Sequence, residues 1–323
     1  FVLSAKIYNF ATDKNPCLNV WVSSLMNIII NNISTMGYKI IVLAKQVPDT
    51  RNVGKDAMKE DGTINRAALP AIFNPEDLNA LEQALQIKEQ NPDTTITILT
   101  MGPPRAAEII REAIFRGADT GIVLTDRAFA GADTLATSYA LSAAIRKFDL
   151  IIAGRQAIDG DTAQVAPQVA EKLHLPQVTY AEKIEKVADG KAVITRRIES
   201  GVETVEAPLP LVVTVNGSAD DCRPRNARRI QKYKYAVTPS EKATMSETLS
   251  ALVDARPYLQ LKEWSADFVD ADPEQIGLKG SPTKVKGIVN VVFQAKESKK
   301  MDGKDQGAIE DLVKELIANH TIG

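Results

Sequence analysis

The residues best suited to chemistry lie in one short stretch, AGRQAIDGDTAQVAP, from Ala153 to Pro167. An apolar run comes before it, and small or polar residues follow at Asp159, Gly160, Asp161 and Thr162. Glycine lets the backbone approach a ligand closely. The stretch has no GxGxxG pattern and no P-loop lysine. Even so, exposed amides at the start of a helix would suit an anion such as pyrophosphate.

That chemistry requires a helix that begins within the stretch. We expect the helix to run from about Thr162 to Leu173, with Asp161 or Thr162 as its cap. Thr162 and Gln164 would add hydrogen bonds to a ligand. An ordinary capped joint between a strand and a helix, with no ligand, explains the same residues equally well.

Strand-length apolar runs alternate with helical segments before and through this stretch. The runs are Lys39–Val47, Thr94–Thr100, residues 121–126 and residues 149–154. Such alternation is typical of βαβ units and of a doubly wound parallel sheet. Ligands of these sheets bind at the carboxyl ends of the strands, where the opening stretch falls. A second feature at this edge is Asn74-Pro75, which predicts a helix start and is either a cap alone or a cap beside amides that face the ligand.

The pattern changes after Val178. Alternating residues with turn signals at Asp189-Gly190 and Ser200-Gly201 predict an antiparallel meander added to the sheet. Residues 219–235 are basic, which indicates either a solvated face or a docking surface. GAIEDLVKELIANH predicts a closing amphipathic helix. The predicted fold class is α/β: a Rossmann-like doubly wound parallel sheet with an antiparallel hairpin and a C-terminal arm.

Composition narrows the classes of function. The 323 residues are 44% hydrophobic and 25% charged with a net charge of -2, so no basic excess indicates nucleic acid. Cys17 and Cys222 are too few for a disulfide framework or a cysteine-based zinc site, and they fit a reducing cytoplasm. His174 and His320 are the only histidines. This scarcity favours a protein whose chemistry belongs to a bound cofactor.

The first 35 residues differ from the rest of the sequence. Val20 to Ile30 is too short to span a bilayer, and a secretory signal is not evident. MGYKII at Met36 reads like a natural start. We expect residues 1–35 to be an upstream artefact or a poorly ordered extension; the alternative is a membrane-surface anchor.

Several segments together resemble the β subunit of electron-transfer flavoproteins. They are KIIVLAKQVPDT, FNPEDLNALEQAL, TMGPPRAAEIIREAIFRGAD, the opening stretch and RRIESGVETVEAPLPLVVTV. The resemblance runs from Met36 to the C-terminus and is densest over residues 38–235. It implies a heterodimer with an α subunit and an adenine nucleotide in this chain. That nucleotide is AMP in ordinary members and a second FAD in electron-bifurcating ones.

The resemblance also implies which residues bind the cofactor. They are Ala44, Asn74, Pro75, Met101, Gly102, Gln156, Ala157, Asp159, Gly160, Asp161, Thr162, Ala163, Gln164 and Val165. Glu76-Asp77, Gly160 and Thr162 look like the bifurcating group, and a small residue at 160 leaves room for a larger ligand. Ala166 departs from an expected glycine, and a positive φ there would cost about 1 kcal/mol.

A bifurcating member would pass electrons from NADH through FAD to ferredoxin or flavodoxin and to an acyl-CoA dehydrogenase or a similar flavoenzyme. No catalytic residue of its own is expected, and Arg155 either stabilises a reduced flavin or is a surface arginine. Residues 36–235 would form the nucleotide domain, and residues 236–323 an arm that contacts the α subunit. By resemblance, the basic segment occupies the place of the loop that engages dehydrogenases.

Two other classes share a doubly wound sheet. A universal-stress-type nucleotide-binding module is short, so the length beyond residue 235 argues against it. An ATP-pyrophosphatase-like enzyme would carry a glycine-serine phosphate loop after the first strand, where this chain has AKQVPD.

Overall fold

The computed structural model describes residues 37–49, 69–145, 147–283 and 303–319. The predicted extension over residues 1–35 lies outside these ranges. The described strands are β1 (Lys39–Leu43), β2 (Gln46–Pro48), β3 (Ala71–Phe73), β4 (Thr95–Met101), β5 (Thr120–Leu124), β6 (Leu150–Gly154), β7 (Gln177–Ala188), β8 (Lys191–Ile198), β9 (Gly201–Pro208), β10 (Leu211–Val215) and β11 (Lys262–Trp264). The described α-helices are α1 (Pro75–Gln90), α2 (Ala107–Arg116), α3 (Thr134–Ala144), α4 (Val165–Lys172), α5 (Ala227–Tyr233), α6 (Pro239–Lys242), α7 (Glu247–Asp254) and α8 (Gln306–Ala318).

One sheet holds nine of these strands, in the order β11-β5-β4-β1-β6-β10-β7-β8-β9. Neighbours from β11 to β7 are parallel, and the β7-β8 and β8-β9 pairs are antiparallel. The chain leaves β1 for β4 and β5, and it then returns through β6 on the other side of β1. The strand order therefore reverses between β1 and β6, which is where doubly wound sheets bind their ligands.

Alternate residues of the central strands build two cores, one on each face of the sheet. Ile40 and Val42 of β1 pack in the core that contains α1 and α2. Ile41 and Leu43 pack in the core that contains α3 and α4. Because both faces are covered, the central strands are largely apolar and buried on both faces. The predicted doubly wound α/β fold is confirmed.

The predicted first strand, Lys39–Val47, is two elements. Strand β1 ends at Leu43, and Gln46–Pro48 pairs antiparallel with β3 in a separate two-stranded sheet. The break falls at Lys45, whose N–H donates to Asp77 and whose carbonyl accepts from Asn74 N–H. Because the N–H and carbonyl of Lys45 are hydrogen-bonded to the start of α1, they cannot pair with the neighbouring strands, and β1 ends.

The predicted meander is correct for β7, β8 and β9 but wrong for β10. Strand β10 lies parallel between β6 and β7, inside the main sheet. All five of its residues are buried. A short strand that is apolar on both faces belongs in a covered parallel sheet, whereas the half-exposed meander strands alternate.

The segment beyond residue 235 also adds to the sheet. Strand β11 pairs parallel with β5 at the edge opposite the hairpins. The predicted closing helix is confirmed as α8, Gln306–Ala318. Contact of this region with a second subunit stays a prediction. Among the described helices, none has the length and apolar character needed to cross a bilayer.

Helix α1 approaches the end of β6 closely at Gly154. A Cβ added to Gly154 would lie 2.5 Å from Asp77 Oδ1 and 2.7 Å from the carbonyl carbon of Glu76. Such distances are shorter than van der Waals contact, so glycine is required where the helix start meets the strand end.

We expect Gly154→Ala to lower the free energy of unfolding by about 3 kcal/mol, because the start of α1 must move to accept the methyl group. Urea denaturation of the purified protein measures this change. Gly160→Ala is the matched control, since no atom lies within 4 Å of the position of its Cβ, and we expect a change within about 0.5 kcal/mol. Equal losses in the two variants would contradict the steric explanation.

Candidate nucleotide-binding site

The candidate site lies where β1, β4 and β6 end at the carboxyl edge of the sheet. Ala44 follows β1, Met101 and Gly102 stand at the end of β4, and residues 155–164 connect β6 to α4. Strands β4 and β6 flank β1, so their ends are about 10 Å apart. Predicted site residues from separate segments therefore lie along one edge, across a distance that a nucleotide can span.

Asn74 occupies the N-cap position of α1, with Pro75 in the first turn. Its side chain makes no capping hydrogen bond, so that part of the prediction is wrong. Instead, Asn74 Nδ2 donates to Gln156 O at 2.8 Å, and Asn74 Oδ1 accepts from Ile158 N–H at 3.1 Å. Asn74 is completely buried. It therefore fixes the backbone of the loop after β6.

Asp77 and Glu76 also bind backbone groups, on both sides of the crevice between the ends of β1 and β6. Asp77 accepts from Lys45 N–H at 2.8 Å and from Gly154 N–H at 3.0 Å. Glu76 accepts from Gln156 N–H at 3.0 Å. Sequence reasoning treated Glu76-Asp77 only as a mark of a subgroup and missed this role. The available signal was a pair of acids in the first turn of a helix that opens at a strand edge.

Asp77 is buried, and its environment acts on its pKa in opposite directions. Burial disfavours the carboxylate, while the N–H groups of Lys45 and Gly154 favour it. Burial is the larger effect and raises the pKa of Asp77 to about 7. Asp77 is thus a buried acid that changes charge near neutral pH.

The loop after β6 folds back on Ala157. Gly160 N–H and Asp161 N–H both donate to Ala157 O, at 3.3 and 2.9 Å. Asp161 and Ala163 have left-handed φ angles of 49° and 53°, which cost about 1 kcal/mol each in non-glycine residues. Strain of this kind persists mainly where the surrounding structure holds it, often at ligand sites. The expected problem at Ala166 does not arise, because Ala166 lies inside α4.

Helix α4 begins at Val165, and Gln164 is its N-cap residue. Its N-cap side chain makes no capping bond, and neither Asp161 nor Thr162 occupies the cap position. The predicted cap is therefore wrong. Gln164 Oε1 accepts from Thr134 Oγ1 at 2.9 Å instead, which ties the turn to α3.

The turn before α4 presents free amides. Within the described ranges, the N–H groups of Thr162, Ala163 and Gln164 donate to no other residue. Free N–H groups at a helix start attract phosphate oxygens. Gly160 borders open space. The part of the chain that is described holds no group of three side chains suited to a metal ion. The geometry fits the phosphates of a nucleotide.

Arg155 lies beside this turn, but its charge is already balanced. Its guanidinium donates to Glu76 Oε1 at 3.0 Å and lies 5.6 Å from the ring centre of Tyr180. The arrangement gives Arg155 a structural partner in Glu76.

Comparison with known proteins shows the family to which the chain belongs. Residues 61–240 match the model of the electron transfer flavoprotein domain. The electron transfer flavoprotein subunit beta of Clostridium acetobutylicum is 44% identical over 250 residues, which cover 76% of this chain and 86% of the relative. The chain belongs to the electron transfer flavoprotein family, as a β-type subunit.

Two further relatives of this β-type subunit carry more specific names. The caffeyl-CoA reductase-Etf complex subunit CarD of Acetobacterium woodii is 44% identical over 251 residues, covering 76% of this chain and 86% of the relative. The acryloyl-CoA reductase electron transfer subunit gamma of Anaerotignum propionicum is 41% identical over 297 residues, covering 88% of this chain and all of the relative. Both names describe parts of larger redox complexes.

The basic segment of this β-type subunit, residues 219–235, divides into inward and outward side chains. Arg223 pairs with Glu82 at 2.6 Å, and Arg229 donates to Ile114 O at 2.5 Å. The exposed cations are Arg225, Arg228, Lys232 and Lys234. Only these four outward side chains can therefore form a solvated face or a docking surface.

The pKa of Asp77 predicts how stability depends on pH. The folded chain keeps the proton up to about pH 7, while the unfolded chain releases it near pH 4. Raising the pH through this window favours unfolding. We expect the unfolding free energy of the wild type, relative to Asp77→Asn, to fall by roughly 2 kcal/mol between pH 5 and pH 8. Urea denaturation at several pH values measures the difference.

Asp272→Asn is the control for this prediction. Asp272 is exposed, and a hydrogen bond from Gln275 lowers its pKa. It is therefore ionised in both the folded and the unfolded chain above pH 5. The difference in unfolding free energy between the wild type and Asp272→Asn should not change with pH. If the unfolding free energy of the wild type relative to Asp77→Asn stays constant or rises with pH, the two amide hydrogen bonds keep Asp77 ionised.

Proposed function

We propose that this chain is the β subunit of an electron-bifurcating flavoprotein and binds FAD in the crevice between β1 and β6. The donor is NADH. The acceptors are ferredoxin or flavodoxin and an acyl-CoA-type dehydrogenase. The observation that carries the nucleotide site is the row of free amides at Thr162, Ala163 and Gln164 beside the open space at Gly160.

The protein's own residues bind and position the cofactor. The amides before α4 hold phosphate, while Asn74, Glu76 and Asp77 keep the two crevice loops in place. Bound FAD supplies the redox chemistry, because a flavin exchanges electrons singly or in pairs. Since the carboxylates at this edge are paired with backbone or side-chain donors, we expect no general base or nucleophile from this chain.

The names of the relatives support the choice of partners. CarD belongs to a caffeyl-CoA reductase complex and the gamma subunit to an acryloyl-CoA reductase, so we propose a CoA-ester reductase or dehydrogenase as one partner here. An α subunit completes the heterodimer. Helix α8 carries the exposed apolar residues Ile309, Leu312, Val313 and Ile317, and we propose that this helix contacts the α subunit. With only two cysteines, this chain suits a reducing cytoplasm.

The amount of bound cofactor tests the proposal. We expect the purified αβ complex to contain about two FAD per heterodimer, one in each subunit, and no AMP. The visible spectrum gives the flavin-to-protein ratio, and chromatography of the acid-released nucleotides identifies them. One FAD together with one AMP would assign the chain to the non-bifurcating group and remove the proposed FAD site.

A further inference from the structure

An ion pair bridges the crevice, and its Asp159 belongs to the same loop as the free amides. Lys45 Nζ lies 2.8 Å and 2.7 Å from the two carboxylate oxygens of Asp159. Lys45 follows β1, and Asp159 lies in the loop after β6. The pair therefore spans the point at which the strand order reverses, where doubly wound sheets bind their ligands.

The backbone of Lys45 is fixed while its side chain is accessible. Lys45 N–H donates to Asp77 at 2.8 Å, and Lys45 O accepts from Asn74 N–H at 3.0 Å. The side chains of Lys45 and Asp159 are 50% and 24% exposed. An ion pair this open to water contributes little to stability, so its lysine can change partner at low cost.

Local charge favours such an exchange. The loop after β6 carries the carboxylates of Asp159 and Asp161, which would repel a phosphate. Among the described residues, two cations bond at this loop. Arg155, the first residue of the loop, donates to Glu76 at 3.0 Å. Within the described ranges, the Lys45 ammonium bonds only to Asp159. The AMP phosphate, or the two phosphates of FAD together, carries about two negative charges against one on a carboxylate, and so offers the Lys45 ammonium the more highly charged partner.

We propose that Lys45 is a phosphate ligand of the bound nucleotide, and that Asp159 holds its ammonium group only while the nucleotide is absent. On binding, the ammonium moves from the Asp159 carboxylate to a phosphate oxygen, and Asp159 turns to water. Asp159 then acts as a competitor of the ligand and not as one of its contacts. The inference rests on the proposed function only in requiring a nucleotide here, and it applies to FAD and AMP alike.

The test uses the αβ complex with FAD kept in the α subunit and the nucleotide of this chain removed. FAD binding is followed by flavin fluorescence, and AMP binding by calorimetry. We expect Lys45→Gln to raise the Kd about tenfold, in line with the loss of one charge-assisted hydrogen bond, and Lys45→Arg to restore most of the affinity. Asp159→Asn should lower the Kd two- to tenfold, because it removes the competitor.

Lys183 and Glu185 provide the matched control. They form an exposed pair at 2.9 Å on β7, and Lys183→Gln and Glu185→Gln should leave the Kd unchanged. The inference is overturned if Asp159→Asn weakens binding as much as Lys45→Gln, which would make the pair structural, or if Lys45→Gln binds like the wild type. A wild-type complex in which this chain binds AMP and takes up no second FAD rejects the proposed bifurcating function, and the AMP titrations then decide the role of Lys45. Binding of neither nucleotide rejects both.

Discussion

The crevice depends on satisfying backbone groups where two parallel strands end. At the ends of β1 and β6 the ladder stops, and the N–H groups of Lys45, Gly154 and Gln156 lose strand partners. Two side chains from the first turn of α1, Asp77 and Glu76, accept these groups, and Asn74 at the N-cap donates to Gln156 O. Each buried N–H left without a partner would cost about 1–3 kcal/mol. The start of α1 is therefore the component that holds both walls of the crevice in place.

This use of polar side chains explains the chemistry of the site. Asn74, Glu76 and Asp77 are occupied with the protein's own backbone, so the groups left for a ligand are the amides of the turn before α4 and the exchangeable ammonium of Lys45. Backbone amides bind phosphate and do not transfer protons at neutral pH. A site of this kind binds and orients a cofactor, and the cofactor provides the reactivity. The strained residues Asp161 and Ala163 shape the turn that exposes those amides.

The two edges of the sheet are finished in different ways. On one side, β7, β8 and β9 continue the sheet as antiparallel hairpins, and β9 carries charged residues that pair with its neighbours, such as Glu206 with Lys191 and Glu203 with Arg196. Charge on an edge strand discourages pairing with other chains. On the other side, β11 returns from the C-terminal part and covers β5. The parallel centre that positions the crevice is thus protected at both ends.

Local sequence patterns alone determined the α/β class and the position of the loop after β6. A continuous apolar run such as LIIAG indicates a strand that is covered on both faces. Apolar residues at helical spacing indicate the packed face of a helix. Both patterns are complete within a few residues. The same patterns could not show that β10 is parallel, because its direction depends on the strands beside it. The role of Asn74 was also decided by tertiary structure, since its partner Gln156 is 82 positions away. Asp77 meets Gly154 across 77 positions, and Lys45 meets Asp159 across 114. Hydrogen bonds and ion pairs over such separations form only after the sheet has brought the strand ends together, and no local spacing encodes them.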